Sequence, residues 1–150
     1  MMIKVPQTKE YLESLDINSV DDYYRKSTTE DDCLFYIDMS IVWPTIEELK
    51  EIMHKNNGLI FLAHPTQYKK YISPEELLEI TSGSIDGIEI SNKTGSVEEI
   101  EFLYDYAKEN NLLISAGSNF HGNHEESKVG AENLTPEMKQ DIIKWIENHL

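Results

Sequence analysis

The chain has 150 residues, enough for one domain with a real core, and its 39% hydrophobic content excludes wholesale disorder. Its 28 acidic against 13 basic residues leave a net charge of −15, which repels bare nucleic acid and anionic membranes and favours solubility. A single cysteine, Cys33, excludes an intrachain disulfide and points to a reducing compartment.

Cys33 follows Glu30-Asp31-Asp32, and neighbouring carboxylates disfavour a thiolate, so it is not read as a nucleophile. The first residues lack the apolar core of a signal peptide, and no run reaches the roughly 18 apolar residues of a membrane span. The expectation is a cytoplasmic protein with no membrane partner.

In chain order, residues 1–43 are the least regular part, an irregular N-terminal segment before a single domain's more patterned remainder. Ser19-Val20-Asp21-Asp22 predicts the capped start of a short helix through Tyr23 and Tyr24. "CLFYIDMSIVW" is apolar and β-branched, with no clear register. From Pro44 the pattern sharpens. Thr45-Ile46-Glu47-Glu48 reads as a capping box, and Ile46, Leu49, Ile52 and Met53 share one helical face, ended by Asn57-Gly58. His54 falls opposite that face and is expected to be exposed and inert. "LIFLAH" (59–64) predicts a buried strand. Ser73-Pro74-Glu75-Glu76 opens a second helix and "IDGIEI" (85–90) a second strand. Ser96-Val97-Glu98-Glu99 caps a third helix, and "LLISAG" (112–117) is a third strand. Pro136 opens a last helix, with Met138, Ile142, Trp145 and Ile146 at helical spacing.

Apolar strands alternating with helices imply parallel βα units, in a doubly wound sheet or a barrel. Sites in both collect at the C-terminal ends of strands. His64 ends the first strand, Glu89 and Ser91 the second, and Asn119 and His121 lie just beyond the third. Pro65 is expected to keep His64 extended. Neutral imidazoles suit zinc, iron or manganese, but catalytic zinc usually takes three protein ligands, so two histidines alone make a poor centre. Asn119 offers an amide oxygen without charge. His124 reads as a solvated loop residue before a substitute ligand with Glu125 or Glu126, His149 as inert, and Tyr68 as either a packing ring or a hydrogen-bond donor to an anionic ligand.

"NNGLIFLAHPTQY", "GSIDGIEISN" and "NNLLISAGSNFHG" together resemble the PHP (polymerase and histidinol phosphatase) family. The branch they look most like holds stand-alone phosphoesterases acting on nucleotides or oligonucleotides. The resemblance runs over roughly residues 15–130 and covers only the C-terminal half of the family domain. It implies part of a distorted TIM-like barrel binding two or three zinc, manganese or iron ions, which activate a water to attack phosphorus. It carries the A-H-P ligand onto His64 and the D-F-H-G histidine onto His121. Asn119 takes the place of a metal-binding Asp. The family's N-terminal H-x-H motif has no counterpart, since the first histidine is His54. The resemblance therefore implies a phosphoesterase-like protein that is weak or inactive alone. Its substrate would be a phosphorylated small molecule or nucleotide. Its partner would be a second copy or a separate N-terminal half, or else it is a non-catalytic binding module.

Overall fold

The structure, a computed structural model, describes residues 6–92, 95–120 and 130–149. It falls into two compact units, Met1–Thr45 and Ile46–Leu150.

Among its described residues, the first unit holds the helices α1 (Pro6–Ser14) and α2 (Val20–Thr29). As expected, Ser19 caps α2: its hydroxyl accepts the Asp22 N–H at 3.0 Å. Leu12 and Ile17 are buried, and the Lys26 ammonium donates to the Leu15 carbonyl at 3.1 Å. The apolar run 33–43 forms no strand. It holds a 3₁₀ turn at Met39–Ile41, where the Asp38 carboxylate accepts the Ser40 N–H.

The second unit carries α3 (Ile46–Lys55), β1 (Phe61–Leu62), α4 (Pro74–Thr81), β2 (Gly87–Ser91), α5 (Val97–Glu109), β3 (Leu113–Ala116) and α6 (Pro136–His149). The strands form one parallel sheet in the order β1-β2-β3. The expected α/β class with parallel βα units is thus observed as a small three-stranded sheet. Ser73 and Ser96 close complete capping boxes with Glu76 and Glu99, which fixes where α4 and α5 begin.

Register sets the core. Leu62, Ile88 and Ile114 stand in one row, and Ile90 lies on the same face of β2. They pack on Leu78 of α4, on Ile100, Leu103, Tyr104 and Ala107 of α5, and on Met138 of α6. Fully burying one such aliphatic side chain contributes about 1.5–3 kcal/mol. The opposite face carries the row Phe61, Gly87 and Leu113. Gly87 is required there, because a Cβ would lie 2.2 Å from the Phe61 ring and 2.7 Å from the Leu113 carbonyl oxygen.

Three expectations need correction. The face Ile46/Leu49/Ile52/Met53 does not become core: α3 has no buried residue. Periodicity shows that side chains share a face, not that anything covers it. The first strand is two residues long instead of six, because the Asp86 carboxylate takes the Ile60 N–H at 2.8 Å and His64 turns out of extended geometry. His54 is not inert: its Nε2 lies 2.9 Å from both Asp86 oxygens, tying α3 to the start of β2.

Candidate functional site

His64, Glu89 and Gly117 come together where the strands end. The His64 N–H donates to Glu89 Oε2 at 2.7 Å. On the other side, a Cβ at Gly117 would sit 2.9 Å from Glu89 Oε1. Glu89 thus spans the sheet from the end of β1 to the end of β3. It projects from the same face as Phe61, two residues beyond Gly87. A β-bulge follows it, with the register shifting between Glu89 and Ser91.

His64 is not extended. Its φ of 35° and ψ of 56° are left-handed, and it opens the 3₁₀ turn Pro65–Tyr68. Proline disfavours the right-handed region before it, and the hydrogen bond to Glu89 holds the backbone in a conformation that non-glycine residues rarely adopt. The turn brings the Tyr68 ring to 5.8 Å from the imidazole. Among the described residues, His64 Nδ1 is the one buried side-chain nitrogen or oxygen without a hydrogen-bond partner. Leaving such an atom unpaired costs about 1–3 kcal/mol.

Two further ties hold the turn against β2 and α5. Asn92 Nδ2 donates to Thr66 Oγ1 at 3.2 Å, and both residues are buried. The Lys69 ammonium lies 3.0 Å from Glu99 Oε1. The Ser96 N–H lowers the Glu99 carboxyl pKa against the opposing effect of burial, and Lys69 lowers it further.

The sequence-derived site residues divide as follows. His64 and Tyr68 are brought together. Asn119 sits three residues beyond β3 with a left-handed φ of 50°, half-buried. His121 and His124 lie outside the described residues. Ser91 is committed structurally, its hydroxyl donating to the Glu132 carbonyl at 2.8 Å. Glu89 and the Thr66–Asn92 pair are the residues whose roles the sequence reading missed. A signal existed for Glu89: it is the lone charged residue among the isoleucines of "GIEI". Thr66 and Asn92 carry none, since their pairing depends on tertiary contact.

These residues do not by themselves fit a metal centre. Among the described residues, no three or more His, Cys, Asp or Glu side chains gather closely enough to hold an ion, and catalytic zinc takes three. His64 Nδ1 offers one nitrogen, Asn119 brings no charge, and Glu89 already accepts the His64 N–H. Among the described residues, no helix is long and apolar enough to cross a membrane.

No protein-family profile matches the chain, and no curated protein does. Among solved structures it is similar to the crystal structure of a "putative metal-dependent phosphoesterase" from Bifidobacterium adolescentis ATCC 15703. The TM-score is 0.53 at 22% identity, over 90% of this chain and 48% of that one. The likeness is one of fold, and this chain spans about half the length of that protein.

Proposed function

We propose that the chain corresponds to the C-terminal half of a PHP-type barrel, phosphoesterase-like in architecture, with weak or no hydrolysis of phosphate esters on its own. The observation that carries this reading is the fold likeness, which takes up nearly all of this chain but 48% of the phosphoesterase. The strand-end placement of His64, with an unpartnered buried ring nitrogen, supports it. In this reading His64 and His121 are the retained metal positions for zinc, manganese or iron. Tyr68 is a hydrogen-bond donor to a phosphorylated small molecule or nucleotide. The remaining ligands come from a second copy or a separate N-terminal half, in the cytoplasm.

Asn119 favours a second reading, a non-catalytic module serving binding or assembly. It stands where the resemblance calls for an Asp, and a neutral amide holds a divalent cation less well than a carboxylate. Elemental analysis of the purified chain, combined with hydrolysis of a generic phosphate ester under added manganese, tests both readings. The expected result is less than about one equivalent of tightly bound transition metal and little turnover. Two or more ions per chain, with turnover, would overturn it.

A further inference from the structure

Glu47, Lys50 and His54 stand at i, i+3 and i+7 of α3, so they share one face of the helix. All three reach the turn between α4 and β2. The Ser84 hydroxyl donates to Glu47 Oε1 at 3.2 Å, the Lys50 ammonium donates to the Gly83 carbonyl at 2.6 Å, and His54 Nε2 lies 2.9 Å from both Asp86 oxygens. The apolar residues lie elsewhere on the helix, and Leu49, Ile52 and Met53 are exposed. α3 is therefore docked by its polar face, the reverse of an amphipathic helix on a core.

Ties of this kind hold a helix loosely. α3 has no buried residue, so burial of apolar surface contributes little to its docking. The His54 side chain is 44% exposed where it meets Asp86. Charged pairs so open to water are screened, and each contributes little. Ten residues are also too few for a helix to be stable by itself in water, where about 12–15 are needed. α5 is the opposite case, with Ile100, Leu103, Tyr104 and Ala107 all buried in the core.

We infer that α3 is a latched helix: it opens as a unit, ahead of the sheet, and the ties of Glu47, Lys50 and His54 set how often. When it opens, Asp86 loses His54 and keeps the Ile60 N–H, so the start of the sheet stays in place. Neither metal nor phosphate chemistry enters into this opening.

The test is hydrogen exchange of the full chain at neutral pH, followed amide by amide and corrected for intrinsic rates. The amides of residues 50–55 are expected to exchange with one common opening constant, at least about tenfold faster than those of residues 103–107. His54→Ala is expected to raise exchange in α3 by about twofold to fivefold and to leave α5 unchanged. Alanine favours a helix more than histidine does, so faster exchange reports the lost tie and not a weaker helix. Lys50→Met, which keeps the apolar stem, is expected to act in the same direction. Glu51→Gln, at a side chain without a tie among the described residues, is expected to match wild type. A latch is ruled out if α3 exchanges as slowly as α5, or if exchange grades inward from the helix ends in place of a common constant. It is ruled out equally if His54→Ala speeds both helices alike, or does no more than Glu51→Gln.

Discussion

The carboxylate of Glu89 accepts the backbone N–H of His64 at 2.7 Å, so a side chain of the central strand sets the backbone at the end of its neighbour. His64 keeps its left-handed φ of 35° through this contact, with its ring beside Tyr68. Removing the acceptor leaves a donor at a partly buried position. Glu89→Ala is expected to cost about 1–3 kcal/mol and Glu89→Gln, which keeps an oxygen, distinctly less. Urea denaturation of the two variants checks this; equal losses would show that the hydrogen bond is not the cause.

The row Phe61–Gly87–Leu113 predicts a coupled pair. Gly87→Ala places a methyl group into the Phe61 ring and against the Leu113 carbonyl, and is expected to destabilise by about 1–3 kcal/mol. In a Phe61→Ala background the ring clash is gone and the backbone clash stays. The cost of Gly87→Ala should therefore shrink without vanishing, as a double-mutant cycle would measure.

Asp86 links pH to the start of the sheet. Burial raises its pKa, but the Ile60 N–H and the His54 ring outweigh that, and its carboxyl is held below the ordinary value. A carboxyl with a depressed folded pKa stabilises the fold above its unfolded value of about 3.9, and the contribution is lost as pH falls through the folded pKa. Asp86→Asn should thus be less stable than wild type at neutral pH. The difference between their urea midpoints should close below about pH 4.

Tyr104 gives the opposite dependence at high pH. Burial and the Asp141 carboxylate push its phenol up to about 12, with Lys108 opposing. The folded state then holds a proton that the unfolded state releases near pH 10. Its contribution is complete below about pH 10 and is lost as pH rises toward 12. Tyr104→Phe should flatten the fall of thermal stability over that interval and cost about 0.5–1.5 kcal/mol at neutral pH.

Asn119→Asp tests the candidate metal position. If His64 and His121 share a site with residue 119, the restored carboxylate should raise manganese or zinc affinity, measured by calorimetry. No gain would separate residue 119 from His64.

Much of the second unit is legible in the sequence because its signals are local. Capping boxes at Ser73 and Ser96 place two helices through hydrogen bonds spanning three residues. Apolar runs bounded by glycine and proline place the three strands, with the ends of the first off by a few residues where Asp86 and Glu89 take the backbone N–H groups of Ile60, before β1, and His64, after it. The alternation of helices and strands is enough to imply parallel pairing. The position of His64 at a strand end follows from the same local reading.

Other features depend on residues far apart in the chain, and no local pattern carries them. The α3 face is periodic but not buried, since burial needs a neighbour that periodicity does not supply. His54 finds Asp86 across 32 positions, and Asn92 finds Thr66 across 26. The left-handed turn at His64 is set by a carboxylate 25 residues away, and Trp145 reaches the carbonyl of Ile114 across 31. The class of the elements and their order follow from the amino-acid sequence, because hydrogen bonds and periodicity over a few residues decide those. How His64 is turned, what Glu89 holds and what meets the Ile114 carbonyl are settled by tertiary contact, because each joins groups that come together once the sheet has formed.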